Sequence, residues 1–341
     1  MIRVLVVDDS ATVRAKLVEV LSSHPDFTVV GEASNGREAI ERCTALRPDV
    51  MTLDLALPEI DGLGVTEHVM AAVPTPILIV SASFNRGEVF NTYEALNAGA
   101  VDVLDKPGVD DDDWDERFIA AVRMVSRIKV ITHPRGRLRG LHKPTTPPAI
   151  VRANRIELLA IGASTGGPSA ILDVLSGLPK VFPIGIVVVL HVDPAFAVSF
   201  ADWLGTRSGR VVRIAEEGSI PQANQVMFAP PHKHLTIHHG RARLVDSAPR
   251  HHCRPSIDVL FESLATDRGA NTLAVLLTGM GRDGANGMLA IRRAGGHTIA
   301  QDEATSIVYG MPREAALIGG AERVLPLGEI GPAIAAHVGV G

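Results

Sequence analysis

The sequence predicts two α/β domains joined by a basic linker, each domain built on a mainly parallel sheet with helices on both faces. Three observations predict this. The 341 residues, 46% hydrophobic and 21% charged, exceed one ordinary domain and provide enough apolar side chains for a real core. Short apolar runs of strand length alternate with stretches of helical periodicity on either side of residue 150. Charge is partitioned as well. Residues 1–125 carry 10 Lys/Arg and 22 Asp/Glu, residues 126–153 carry 7 Lys/Arg and no acid, and residues 154–341 carry 16 of each.

In order along the chain, Ile2–Val7 is a nearly unbroken apolar run, the pattern of a strand buried on both faces. Ser10 is placed to cap a helix whose apolar positions Val13, Leu17, Val20 and Leu21 recur at helical spacing. Further strands are expected at Phe27–Val30, Val50–Leu53, Ile77–Val80 and Ala100–Leu104, with helices between them. Five βα repeats imply a parallel sheet with right-handed crossovers. Residues 126–153 read as linker, because their prolines, glycines and uniformly basic charge suit a solvated, semi-extended tether. From 154 to 341 a second alternating region predicts strands at Leu158–Ile161, Ile186–Leu190, Val226–Ala229, Leu273–Leu277, Thr298–Ala300 and Val324–Leu325. A hairpin pairs Leu235–His238 with Arg241–Val245 across His239-Gly240, and helices follow Pro168, Ser256, Gly284 and Pro312.

Several classes are excluded. Cys43 and Cys253 stand far apart in neither a CxxC nor a metal-ligand spacing, so a disulfide framework is not expected. No apolar run approaches the roughly 18 residues of a membrane span, and the amino terminus turns acidic at Asp8, too early for a signal-peptide core. A cytoplasmic protein without membrane insertion is the expectation. The chain has 13 aromatic residues, few for a base-stacking surface, and the basic linker is expected to act as a tether without binding nucleic acid.

Functional groups in parallel sheets collect at the carboxyl ends of the strands. In the first domain those ends carry Asp8 and Asp9, Asp54, Ser81 and Lys106. Three converging carboxylates repel one another unless a cation lies among them, and an all-oxygen set suits Mg²⁺. With a lysine and a hydroxyl alongside, the set suits phosphoryl transfer onto a carboxylate. These residues resemble the response-regulator receiver family over about residues 1–125. The resemblance implies a flavodoxin-like sheet of order 2-1-3-4-5. It makes Asp54 the phospho-acceptor, Asp8, Asp9 and Asp54 the metal ligands, and Ser81 and Lys106 the switch pair. Lys106-Pro107 matches a Lys-Pro pair often joined by a cis bond, and Pro58 with Asp61-Gly62 matches the loop after the acceptor strand. Val103 stands three before the lysine, where the family often has an aromatic switch residue, which places aromatic-rotamer signalling in doubt.

In the second domain, strand Leu158–Ile161 runs into Gly162-Ala163-Ser164-Thr165-Gly166-Gly167-Pro168, which fits the G-x-S-x-G of a nucleophile elbow as well as a phosphate loop or a plain turn. His191 ends the next apolar strand, where a half-solvated structural histidine is the ordinary reading and a general base the sharper one. After Leu273–Leu277 comes Thr278-Gly279-Met280-Gly281-Arg282-Asp283-Gly284, which spells a dinucleotide fingerprint. Against a nicotinamide dehydrogenase, Asp283 sets a carboxylate in the turn that would receive pyrophosphate. As a triad acid, the same residue would orient His191. The histidines His232, His234, His238, His239, His251 and His252, near Cys253, raise a zinc reading, but they lack a fixed ligand spacing and are expected to be solvated, partly interfacial surface, with no metal in this domain.

Together with Ala229-Pro230-Pro231, Arg254-Pro255-Ser256-Ile257-Asp258 and the run from Ala300 through Gln301-Asp302 to Gly310-Met311-Pro312, these strings resemble the CheB-type chemotaxis protein-glutamate methylesterase family over nearly the whole chain. The resemblance implies Ser164 as nucleophile, His191 as base, Asp283 as its orienter, and backbone amides of Met280 and Thr165 as oxyanion donors. It implies methylated chemoreceptor helices as substrate, deamidation of glutamine as a companion activity, and a CheA-type histidine kinase as phosphodonor. Receiver phosphorylation is expected to open access to the Ser164 cleft. The competing classes are the dehydrogenase using Gly279–Gly284 and a receiver-controlled regulator without catalysis.

Overall fold

The computed structural model describes residues 1–82, 86–108, 113–128, 130 and 155–340. The chain divides into two compact units, Met1–Val151 and Arg152–Gly341. Residue 129 and residues 131–153 of the expected linker lie outside the described residues.

The first unit is a five-stranded sheet in the order β2-β1-β3-β4-β5, made of β1 (Ile2–Val7), β2 (Phe27–Ala33), β3 (Val50–Leu53), β4 (Ile77–Ser81) and β5 (Asp102–Asp105). All its pairings are parallel. The central strands are buried along their length, as continuous apolar runs require when helices cover both faces. Helix α1 (Ala11–Ser22) starts at Ser10, whose hydroxyl accepts from the Val13 amide. It packs with α5 (Trp114–Val125) on one face, where Leu17, Leu21, Phe118 and Val122 join Val4, Val6, Leu78 and Val80. Helices α2 (Gly36–Leu46), α3 (Gly62–Ala72) and α4 (Arg86–Ala98) pack in sequence beside one another. Strand β5 begins at Asp102 instead of Ala100, because the Ala100 amide still bonds Ala95 at the end of α4 and Gly99 turns at φ 124°. Among the described residues the cis peptide bond is Arg254–Pro255, so Lys106–Pro107 is trans, contrary to the expectation raised by the receiver resemblance.

The second unit is a seven-stranded parallel sheet. Its strands are β6 (Leu158–Ala163), β7 (Gly185–Leu190), β8 (Val211–Ile214), β9 (Gln225–Phe228), β12 (Thr272–Leu276), β13 (His297–Gln301) and β14 (Arg323–Leu325), in the order β14-β13-β12-β6-β7-β9-β8. The hairpin of β10 (His234–His238) and β11 (Arg241–Val245) stands apart as a two-stranded sheet. Helices α8 (Ile257–Arg268), α9 (Ala285–Arg293) and α10 (Met311–Leu317), with the hairpin, share one core with Ala160, Val187, Val189, Ala274 and Leu276. Helices α6 (Gly167–Ser176), α7 (Pro194–Ser208) and α11 (Leu327–Val338) pack on one another as a second group. Edge strand β8 and helix α7 were not anticipated. The alternately exposed VVRI of β8 is too short for a periodic signal, whereas α7 follows a recognisable cap, Asp193, which accepts from the Ala195 amide.

The first sheet reverses its strand order between β1 and β3 and the second between β6 and β12, with a further inversion at its β9-β8 edge. A parallel α/β sheet opens its crevice there, beyond the strand ends. Asp8 and Asp54 flank the first crevice, and Ser164 and Thr278 flank the second.

Candidate active site

In the second unit the strand pairings continue past the strands. The Ser164 amide donates to the Thr278 carbonyl at 3.0 Å, and the His191 amide to the Ala163 carbonyl at 3.0 Å. Ser164 and His191 therefore stand side by side at the ends of paired strands β6 and β7, with the Gly279–Asp283 loop on the other flank. The elbow is tight. Its amide at Gly167 closes on the Ser164 carbonyl at 2.6 Å, and Gly166 at φ 74° takes a conformation an L side chain rarely adopts. Buried Thr278 fastens it, donating its hydroxyl to the Thr165 carbonyl at 3.0 Å while its own amide is held by Gln301 Oε1 at 2.8 Å. Gly279 has to lack a side chain, since a Cβ there would stand 2.7 Å from Ser164 Cβ and 2.3 Å from Met311 Cε.

His191 Nε2 lies 2.9 Å from Asp283 Oδ2. The buried Asp283 carboxylate also accepts from Ser256 Oγ (2.8 Å) and from the amides of Ile257 (2.8 Å), Asp258 (2.9 Å) and Gly284 (3.1 Å). Ser256 caps α8, so the amino terminus of that helix holds Asp283. Burial works to raise the Asp283 pKa, but the bond and charge of His191 and the Asp258 and Ile257 amides outweigh it and hold the group below its ordinary value. Burial pushes His191 the other way, toward neutrality; Asp283, together with Cys253, overcomes this and raises it to about 9. The charge contribution of Cys253 operates only when its sulfur is a thiolate. Among the described residues no hydrogen bond joins Ser164 Oγ to His191. With Nε2 facing Asp283, Nδ1 is the nitrogen left for proton transfer, and Cys253 Sγ lies 3.6 Å from it.

The Gly279 amide is committed to the Val308 carbonyl and the Ser164 amide to Thr278, which removes both from any oxyanion role. Neighbouring Met280 is 62% exposed. A cleft of about 470 Å³ opens beside Asp283, lined by Met280, Arg282, Asp283, His252, Cys253 and Glu314 among others. Ser164 and His191 do not line it.

Two expectations about the histidines need correction. His234 is fully buried, its Nδ1 accepting from the Ser256 amide (3.1 Å) and its Nε2 donating to the Ala248 carbonyl (3.1 Å). His251 pairs with buried Asp258 at 3.0 Å. These two therefore pack beneath the α8 amino terminus that holds Asp283, while His232, His238, His239 and His252 are exposed. Sequence reasoning missed Gln301, His234 and Asp258 as supports of the site.

In the first unit Asp8, Asp9 and Asp54 bring one carboxylate oxygen each within 4.8 Å of one another, Asp8 and Asp54 buried and Asp9 exposed. Lys106 Nζ reaches Asp54 Oδ2 at 2.8 Å and Asp8 Oδ2 at 2.9 Å. The second contact is off hydrogen-bond geometry, leaving Asp8 Oδ2 buried without a directed donor. Burial raises the Asp8 pKa, with Lys106 opposing; burial favours neutral Lys106, yet the two carboxylates keep its pKa above the ordinary value. Ser81 ends β4, buried, and its carbonyl accepts from the Lys106 amide at 3.1 Å. Gly62 lies against the residue that follows β3, where a Cβ would fall 2.4 Å from the Asp54 carbonyl oxygen.

The chain matches the family described as CheB methylesterase over residues 159–334 and the response regulator receiver domain over residues 4–116. It is 44% identical over 331 residues to protein-glutamate methylesterase/protein-glutamine glutaminase 2 of Anaeromyxobacter dehalogenans, covering 96% of this chain and 95% of the relative. It is 40% identical to the protein-glutamate methylesterase/protein-glutamine glutaminase of Nitrosospira multiformis, covering 98% and 96%. Among solved structures, the catalytic domain of Thermotoga maritima CheB methylesterase superposes with a TM-score of 0.50 at 36% identity, over 53% of this chain and 98% of that one.

Proposed function

The chain belongs to the CheB methylesterase family, and from the site geometry we propose that Ser164, His191 and Asp283 carry out its reaction. That reaction is the one of a protein-glutamate methylesterase/protein-glutamine glutaminase regulated by a receiver domain, which demethylates chemoreceptors. A nicotinamide enzyme and a non-catalytic regulator are thereby set aside. The observation that carries the residue assignment is the His191–Asp283 bond at the end of the strand next to Ser164.

Ser164 Oγ attacks the glutamyl ester carbonyl as neutral His191 takes its proton through Nδ1. Asp283 keeps the remaining proton on Nε2 and stabilises the imidazolium. The tetrahedral oxyanion is met by the Met280 and Thr165 amides. Collapse expels methanol, protonated by His191, and leaves an acyl-enzyme. Water activated by the same nitrogen then releases the glutamate side chain and restores Ser164. With a glutamine substrate, ammonia leaves in place of methanol. Ser164→Ala should abolish methanol release from methylated receptor membranes while leaving the fold intact by circular dichroism. Retained release would remove Ser164 from the mechanism.

In the receiver, Asp54 is the proposed phospho-acceptor for a histidine kinase. Asp8, Asp9 and Asp54 fit Mg²⁺ through an all-oxygen donor set and the undirected Oδ2 of Asp8, and the ion would supply charge neutralisation for the phosphoryl group. Lys106, already on Asp54, is placed to pair with that group, and Ser81 is assigned to sense it. We assign residues 1–125 to the receiver, 126–153 to the linker and 154–341 to the esterase, consistent with the boundary between the two compact units. Among the described residues no helix is long and apolar enough to cross a membrane, and the proposed substrates, receptor cytoplasmic helices, assign the enzyme to the cytoplasm.

A further inference from the structure

We propose that His191 and Cys253 form a binding site for a thiophilic divalent cation of the Zn²⁺ class, and that occupation of this site switches the esterase off. The inference rests on the reading of His191 as the base. Cys253 neither attacks the ester nor carries its proton, yet its half-buried sulfur lies 3.6 Å from His191 Nδ1 and lines the open cleft. Zinc–sulfur and zinc–imidazole bonds of about 2.3 and 2.0–2.1 Å at a tetrahedral angle put the two ligand atoms about 3.6 Å apart. The observed spacing, now a hydrogen-bond contact between the two side chains, matches that ligand separation.

The other half of the imidazole is arranged to match. Histidine ligands generally donate their second ring N–H to a carboxylate, which fixes the tautomer and leaves the lone pair on the metal side. Asp283 does this for His191 at 2.9 Å, and its own carboxylate is anchored by Ser256 and three backbone amides. One Asp283 oxygen also lies within 4.8 Å of ligand atoms on His191 and Cys253. Water would fill the remaining coordination positions. A thiolate–imidazole pair favours Zn²⁺ over Mg²⁺, so the receiver carboxylates and this site sort the two ions by softness. A cation on Nδ1 occupies the lone pair that must accept the Ser164 proton, and catalysis stops without any change in fold.

The test uses the full-length, unphosphorylated protein stripped of metal. Co²⁺ is titrated while the thiolate-to-cobalt charge-transfer absorption is followed, then displaced with Zn²⁺, and methanol release from methylated receptor membranes is measured across the same Zn²⁺ series. One equivalent of Co²⁺ should develop the band. Saturating Zn²⁺ should lower the rate at least tenfold, reversibly with chelator, and Mg²⁺ should do neither. Cys253→Ala and Cys253→Ser, checked for fold by circular dichroism, should lose the band and need at least tenfold more Zn²⁺ for half-inhibition. Ser164→Ala should keep the band. A wild type without the band, a band surviving in both Cys253 variants, or unchanged zinc sensitivity in those variants overturns the proposal. The functional reading fails separately, through absence of methanol release from the metal-free enzyme with the cobalt band intact.

Discussion

Asp283→Asn is the substitution whose consequences the site geometry specifies most fully. The asparagine oxygen can replace Oδ1 and keep the bonds from Ser256, Asp258 and Gly284, so the α8 amino terminus keeps most of its hold while the Ile257 amide loses its acceptor Oδ2. The amide nitrogen then replaces Oδ2 and presents N–H to His191 Nε2, which has to answer with a lone pair. The imidazole proton moves to Nδ1, the nitrogen that should accept the Ser164 proton. Forcing the wrong tautomer in this way costs about 10⁴ in kcat in a Ser-His-Asp triad, or about 5 kcal/mol of barrier. Titration shifts too. Burial alone lowers the His191 pKa, and Asp283 is the main reason it reaches about 9. The wild-type kcat/KM, measured by methanol release with chelator present, should therefore climb with pH through a midpoint of about 9 and level off above it as the base loses its proton. In Asp283→Asn the limb should move down toward the ordinary histidine value. Stability follows the same linkage. A histidine whose folded pKa is raised contributes stability that is complete below its unfolded pKa and is lost as pH rises through the folded one. The stability gap between wild type and variant should thus be widest near pH 6 and close by up to about 3 kcal/mol toward pH 9.5, read from urea midpoints. A kcat loss below tenfold, or a limb that does not move, would refute the tautomer argument.

Four further outcomes follow from the same contacts. Ser256→Ala removes both a bond to Asp283 and the α8 cap; it should cost about 1 kcal/mol in urea unfolding and lower kcat more than it raises KM. Gly279→Ala drives a methyl onto Ser164 Cβ and Met311 Cε, and should cost about 1–3 kcal/mol with a loss of methanol release. Cys253→Ala removes one of the contributions raising His191, so the rising limb of the metal-free enzyme should shift to lower pH; an unmoved limb would show that the sulfur does not act on the base. Gly62→Ala pushes a methyl against the Asp54 carbonyl and should slow phosphorylation from acetyl phosphate while basal esterase activity is retained.

The strand ends were the most legible part of the chain. Apolar runs that stop abruptly at Asp54, Ser164, His191 or Thr278 announce buried parallel strands feeding polar groups into a crevice, and the structure has strands ending there. Strand β8 was silent because an edge strand with one exposed face over four residues carries too little pattern. The supports of Asp283 were harder to read. His234 lies 49 positions before it and seemed one of a loose histidine group, because nothing local distinguishes a buried imidazole bonded at both nitrogens from a solvated one. The approach of Cys253 to His191, 62 residues apart, is a product of the fold alone. The G-x-G-x-x-G of Gly279–Gly284 misleads for a physical reason as well: Gly279 makes room for Ser164 and Gly284 for Ile257 and Leu276, and Asp283 turns its carboxylate to the amino terminus of α8.

The central claim, a phosphorylation-gated triad esterase, is tested most directly by methanol release from methylated receptor membranes with and without acetyl phosphate, comparing wild type, Ser164→Ala and Asp54→Ala. The account predicts release that phosphodonor stimulates in wild type, basal release without stimulation in Asp54→Ala, and no release in Ser164→Ala. Methanol release by Ser164→Ala at the wild-type rate, or full stimulation of Asp54→Ala, would contradict it.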